Sequence, residues 1–249
     1  MVARPSRPRM APGVTAGAPA SRVAGGAAVR LRWLSTLAAL ALAAACRWER
    51  PVDDSTRHAL QTAAAGLSPA ALESALAARA CAVASGAVRP RRRQPHLAVI
   101  DYSAPSTQPR LWVFDLDLGA VVFHEWVAHG SGAGGEGPPV FSDVPDSHCS
   151  SLGAFATAEL YTGTHGLSLR LDGLQPGVNG RARARDIVVH GAAYVSRDHI
   201  TEWGRLGRSW GCPAVRVEVA EPLVRALADR ALLYAWHDEL PAAPLAACR

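Results

Sequence analysis

Residues 97–129 read LAVIDYSAPSTQPRLWVFDLDLGAVVFHEWVAH, and this stretch decides the fold class. Three runs within it, 97–103, 110–118 and 120–129, are rich in β-branched and aromatic residues, which suit a pleated, half-buried surface. Gly119 separates the last two, where a hairpin turns. Working outward, strand patterns recur at 154–160, 167–171, 186–190 and 232–236, and a helix is expected near 219–230. Strands in succession with a helix late predict an α+β, mainly β domain rather than alternating βα units. Upstream, two Ala-rich stretches, 56–65 and 69–85, read as helices. The second has Ser68 at the N-cap, Pro69 at the first helical position and Gly86 past its end, with Leu72, Leu76 and Val83 on one face.

The chain has 249 residues and a formal charge of +5, and all 26 of its basic residues are Arg. That basicity invites a nucleic-acid reading, but its location removes the invitation. Residues 1–46 hold six Arg and no acid, so residues 47–249 carry 20 Arg against 21 acids, a net charge of −1. Arg30 and Arg32 precede an apolar run of 13 residues, Trp33–Ala45, too short to span a bilayer but suited to the core of a secretory signal. Initiation at Val29 gives that signal ordinary proportions. Cys46 ends the run as in a lipobox, although Ala43 stands where Leu is usual; cleavage after Ala-x-Ala is the alternative. The expected organisation is a signal or lipoprotein signal at 1–46, a tether and helical lead-in at 47–95, and one domain at 96–249. Export to the periplasm or cell envelope follows, with membrane anchoring if Cys46 is lipidated. In such a compartment cysteines pair. With Cys46 processed and one thiol kept for chemistry, at most one pair forms among Cys81, Cys149 and Cys248. The basic run Arg89–Arg93 reads as a solvated linker or as a contact for lipid headgroups.

The chemistry concentrates in Gly207-Arg-Ser-Trp-Gly-Cys-Pro-Ala-Val-Arg216. Gly211 permits close backbone approach and Pro213 fixes φ, so Cys212 is a candidate nucleophile on a tight loop whose N–H groups can face an oxyanion. A thiol nucleophile needs a base, which can hold its proton as an ion pair. Three of the nine His precede Gly: His129, His165 and His190. His190 is the strongest candidate, because it ends the apolar run Ile187-Val-Val189 before a turn. Asp186 lies four residues away, ~13 Å along a strand, so a backbone carbonyl or a group from elsewhere should orient the ring. His165, in Tyr161-Thr-Gly-Thr-His165-Gly-Leu-Ser168, is a second cleft candidate. A zinc site from His190, Cys212 and His165 lacks close ligand spacing, so no metal or other cofactor is expected. The glycine loop 130–139 has no Lys-Ser/Thr ending, which leaves nucleotide binding weakly supported.

Here the sequence resembles the YkuD-like L,D-transpeptidases, and within them the murein L,D-transpeptidase catalytic domain branch. Arg110-Leu-Trp-Val, Val127-Ala-His-Gly130, Ser150-Ser-Leu-Gly153, the Tyr161–Leu169 segment, Ile187-Val-Val-His190 and Gly207–Val215 follow that pattern in order, over about 97–237. The resemblance implies a β-sandwich or barrel, with Cys212, His190, Gly211 and Ser209 in the catalytic machinery. It places His165, Tyr161, Trp210 and Arg208 at the substrate. It implies a monomer that acts on peptidoglycan stem peptides, cleaves the diaminopimelate–D-Ala bond through a thioester on Cys212, and forms 3-3 cross-links. Two features depart from the commoner motif: Trp210 replaces a His, and Arg216 lies four residues after Cys212 where an Arg usually follows by two. The long His190–Cys212 insert leaves room for a lid near Asp198–Arg205, bracketed by Trp203 and Trp210. The competing readings are a cysteine peptidase, carboxypeptidase or amidase of wall peptides, and a non-catalytic envelope-binding lipoprotein.

Overall fold

The structure is a computed structural model that describes residues 52–132 and 139–238. The signal segment and Cys46 lie outside the described residues. In chain order come helices α1 (Asp54–Ala63) and α2 (Pro69–Ala84), then strands β1 (His96–Asp101), β2 (Leu111–Asp115), β3 (Ala120–Glu125), β4 (Gly153–Gly163), β5 (Gly166–Gly173) and β6 (Val188–Gly191). Helix α3 (Arg197–Trp203), strand β7 (Ala214–Val215), helix α4 (Val217–Leu227) and strand β8 (Leu232–Trp236) follow. The sheet runs β3-β2-β1-β8-β4-β5-β6-β7. Its two ends meet: beyond β3, Ala128 bridges antiparallel to Ala214 of β7, which makes the sheet barrel-like. The α+β, mainly β fold with a late helix is the one the sequence predicts.

Strand alternation builds a core on each face. Ala98 and Ile100 of β1, Leu111 and Val113 of β2, and Leu233 and Ala235 of β8 pack with Leu223, Val224 and Leu227 of α4. Their neighbours Leu97, Val99, Trp112, Phe114, Leu232 and Tyr234 face the other way, onto Leu60 of α1 and Leu72, Ala75 and Leu76 of α2. The helical lead-in is therefore part of the second core. Leu72 is 1% exposed there, and Leu72→Ala is expected to lower the unfolding free energy by about 2–5 kcal/mol in a urea titration. Leu72 and Leu76 lie in this core with Ala71, Ala75, Arg79 and Ala82, and Val83, partly buried, packs against it. The Arg89–Arg93 run is a folded turn more than a free linker: Arg89 pairs with Asp229 (3.1 Å) and Arg91 with Asp117 (2.6 Å).

Element ends differ from the sequence reading for local reasons. β2 stops at Asp115 because its carboxylate accepts from the Asp117 and Leu118 N–H groups (2.8 and 3.0 Å), starting the turn early. α4 stops at Leu227 because Asp229 and Arg230 are left-handed (φ 64° and 66°). The insert after β6 folds as α3, with Ser196 as N-cap and Gly204 (φ 67°) closing it. Val195 and Leu206 bury it against Ala128, Ala192 and Ala214. Among the described residues no helix is long and apolar enough to cross a membrane.

Candidate active site

β6 and β7 are parallel, with His190 level with Ala214 and Gly191 with Val215. Two residues back along each chain, Cys212 comes level with Val188. Its thiol accepts from the Val188 N–H (3.5 Å) and donates to the Asp186 carbonyl (3.6 Å). His190, buried at 3% exposure, has Nδ1 3.0 Å from the Gly191 carbonyl. A carbonyl oxygen only accepts, so Nδ1 carries the proton and Nε2 is left as a base. The Asp186 carboxylate takes no part in this; it pairs with Arg170 at 2.8 Å.

Burial pushes the His190 imidazole below its ordinary range, opposed by the Gly191 carbonyl and assisted by the like charge of His165. Burial likewise pushes the Cys212 thiol up, against the Val188 N–H and Arg185, which favour the thiolate. Both shifts favour the uncharged forms, a thiol and a neutral imidazole.

The nucleophile loop closes on itself and is gripped from outside. Ser209 Oγ accepts from the Gly211 N–H (3.1 Å) and donates to the Cys212 carbonyl (2.6 Å). Ser209 thus shapes the loop without touching the sulfur. The Gly211 N–H is taken by this bond. Ser150 Oγ accepts from the Gly130 N–H (2.9 Å) and donates to the Gly211 carbonyl (3.1 Å). Gly211 has φ +112°, and a Cβ there would lie 2.7 Å from the Cys149 carbonyl. That carbonyl accepts from Arg185 Nη2 (2.6 Å), while Arg185 Nη1 donates to Ser142 O (2.8 Å) and Ser151 Oγ (2.7 Å).

His165 sits at the two-residue tip of the β4–β5 hairpin, where Gly163 pairs with Gly166. Its ring stacks on His190 with centroids 4.3 Å apart. Trp210 is 74% exposed and lies flat on His148, 4.8 Å away and 6° from parallel. Arg208 is half-buried, opposite His129 across the Gly130–Ser209 bridge. Tyr161 instead lies under the Arg170 guanidinium (4.6 Å), and no described contact joins it to Cys212 or His190. Arg216 clamps Glu125 through two bonds of 2.9 and 2.8 Å and flanks the Trp126 ring, so it holds β3 to α4. Ser150 and Arg185 hold the nucleophile loop, roles that the sequence reading does not assign. Ser150 falls in a segment of the family pattern, but only its contacts reveal what it does. Arg185 lies in the repeat Arg181-Ala-Arg183-Ala-Arg185, and nothing local marks it as the inward one.

Cys81 is disulfide-bonded, whereas Cys149 and Cys212 are free. Among the described residues no cluster of His, Cys, Asp and Glu could hold a metal ion. An open groove lined by Thr157, Glu159, Asp172, Arg183, Asp229 and Arg230 contains none of the candidate residues. Its charges are satisfied locally: Arg183 pairs with Glu159 and Asp172, and Asp229 with Arg89.

A buried His with a fixed tautomer on β6 and a cysteine on the constrained loop entering β7 are the residue types that thiol-based acyl transfer uses. The family model YkuD_2, L,D-transpeptidase catalytic domain, matches residues 63–236, and the chain belongs to that family. Solved structures are similar at low identity. An L,D-transpeptidase from Mycobacterium smegmatis is 14% identical over 57% of this chain and 58% of its own, with a TM-score of 0.36. The helical cell shape determining protein Pgp2 from Campylobacter jejuni is 11% identical over 58% of this chain and 48% of its own, with a TM-score of 0.38. An L,D-transpeptidase from Xylanimonas cellulosilytica is 18% identical over 62% and 67%, with a TM-score of 0.34. The chain thus spans 58% of the first of these proteins and 48% of the second. No curated protein matches.

Proposed function

We propose that the protein is a peptidoglycan L,D-transpeptidase of the cell envelope, working through a thioester on Cys212. The observation that carries this reading is the His190–Gly191 carbonyl bond (3.0 Å) on the strand whose Val188 N–H also holds the Cys212 thiol (3.5 Å). Family membership supports the reaction class. Cys212 rotates from the Asp186 carbonyl toward His190 Nε2, which takes its proton. The thiolate attacks the carbonyl joining the L-centre of diaminopimelate to the terminal D-Ala, and the Cys212 N–H receives the oxyanion. As the tetrahedral intermediate collapses, imidazolium Nε2–H protonates the leaving D-Ala amine. A diaminopimelate side-chain amine then attacks the thioester, gives a proton to His190 and leaves a 3-3 cross-link; the thiol is re-protonated.

His165, stacked on the base, and Trp210, at the rim, line the substrate path in this reading, with Arg208 beside them. Residues 1–46 direct export, Cys46 carries the lipid, residues 47–95 lead into the catalytic domain at 96–249, and the protein acts as a monomer. The Cys81 disulfide suits an oxidising compartment.

The test incubates the purified protein with a carbapenem and reads intact mass. A single covalent adduct is expected in the wild type and none in Cys212→Ala. An unmodified wild type counts against the nucleophile, and an adduct surviving in the variant moves the assignment elsewhere. Muropeptide products then separate the outcomes: cross-linked dimers support transfer, whereas shortened stems alone indicate a carboxypeptidase.

A further inference from the structure

Arg110 is 1% exposed, and a guanidinium so buried ordinarily faces a carboxylate. Its bonds go to neutral acceptors instead: the Ala104 carbonyl (2.8 Å), the Val127 carbonyl (3.1 Å) and His129 Nδ1 (2.8 Å). The Tyr102 ring covers it at 5.1 Å. The carboxylate of Asp101 is engaged elsewhere, accepting from the Ser68 and Ser103 N–H groups (3.4 and 3.0 Å). The positive charge of Arg110 therefore stays uncompensated by direct contact.

Arg donates and never accepts, so His129 Nδ1 is the acceptor and its proton sits on Nε2. Burial, Arg110, Arg208 and Arg205 push the imidazole down to about 3, which keeps the ring neutral across physiological pH. Nε2–H is consequently a permanent donor, strengthened through the ring by the guanidinium behind it. His129 is 9% exposed, and its only described hydrogen bonds are the Arg110 contact at Nδ1 and the backbone bond from the Ser209 N–H (3.0 Å). Nε2 is not among the fully buried polar atoms left without a partner, so this donor is open to water or to a ligand's acceptor.

The place of this donor gives it a use. The Gly130–Ser209 bridge sets His129 beside Arg208, three and four residues before Gly211 and Cys212. Tyr102, whose ring lies 6.2 Å from that of His129, is within electrostatic reach of both Arg110 and Cys212. Arg110, Arg205 and Arg208 thus place positive charge around His129, and Tyr102 lies between that group and Cys212 in electrostatic reach.

We propose that His129 Nε2–H, backed by Arg110 and flanked by Arg208, is a carboxylate subsite that orients the peptide beside Cys212. The identity of the peptide rests on the reading above; the subsite does not. A stem peptide offers two carboxylate sources, its C-terminal D-Ala and the free carboxylate of diaminopimelate.

The experiment has two arms. In the first, the full protein is alkylated with iodoacetate or iodoacetamide at low salt, and modification of Cys212 is followed by peptide mass. The iodoacetate to iodoacetamide rate ratio is expected to exceed that of glutathione by about tenfold. It should fall toward the glutathione value in Arg208→Gln and in His129→Gln, and in the wild type at high salt. A wild-type ratio equal to that of glutathione, or one unchanged in both folded variants, overturns the proposal. This arm needs no turnover, so it decides the subsite even if no peptide is processed. In the second arm, tetrapeptides amidated at D-Ala or at diaminopimelate are compared with the free acid. Amidation at one position is expected to raise KM about tenfold in the wild type and little in Arg208→Gln, naming the carboxylate. Unchanged KM with either amide overturns the assignment to this substrate.

Discussion

His190→Gln is expected to lower kcat/KM for acyl transfer by about 10²–10⁴-fold, the range that a positioned general base supplies. Gln is preferred to Ala because His190 is 3% exposed and stacked on His165, so truncation would also open a cavity. An unchanged thermal midpoint with lost turnover separates the chemical role from the structural one. The pH profile makes the same point in the wild type. The base works only when unprotonated, and its pKa is lowered, so the acidic limb of kcat/KM should fall below the ordinary imidazole value of about 6.5. The thiol pKa is raised, so alkylation of Cys212 by iodoacetamide should keep climbing above about pH 8.5, the ordinary thiol value. A plateau of fast alkylation at neutral pH would mean a resting thiolate–imidazolium pair and would sink this account.

The sheet was legible in the sequence because burial on two faces leaves a local record. β1, Leu97-Ala-Val-Ile100, is apolar at every position, since it faces α4 on one side and α1 and α2 on the other. The helices ahead of it were legible as helices, but their place in the second core was not. α2 is so rich in Ala that only Leu72, Leu76 and Val83 mark its inward face, and the burial of Ala71, Ala75 and Ala82 beside them leaves no local signal.

Cys212 and His190 were legible because a Gly-Cys-Pro loop and a strand-terminal His-Gly are local patterns. What holds them is not local. Ser150 is 61 residues from the Gly211 carbonyl it binds, and Arg185 is 36 from the Cys149 carbonyl. His165 was visible as a cleft candidate, yet its stack on His190 depends on β4 and β5 pairing out to the Gly163–Gly166 tip. Tyr161, from the same segment, is drawn instead toward Arg170, where a cation can cover its ring.

Gly211→Ala is the substitution expected to damage the site most without removing a reactive group. Its φ of +112° is strained for any L residue, and the new Cβ would lie 2.7 Å from the Cys149 carbonyl and 3.0 Å from Ile187 Cδ1. Neither neighbour yields freely: the carbonyl is tied to Arg185 at 2.6 Å, and Ile187 is 2% exposed. The loop must therefore shift, carrying the Cys212 N–H and sulfur with it. A displacement near 1 Å can cost about 10²-fold in rate, so carbapenem acylation should slow by at least about that factor. The backbone strain should add about 1–3 kcal/mol of destabilisation by urea titration. Gly204→Ala is the control. Gly204 is also left-handed, with φ +67°, but a Cβ there meets nothing within 4 Å. It should lose about 1 kcal/mol of stability and keep its acylation rate. If both variants slow acylation equally, loss of stability explains the effect and the steric seat of the nucleophile loop does not. If Gly204→Ala alone is spared, the close approach of Gly211 to Cys149 is what aims the sulfur.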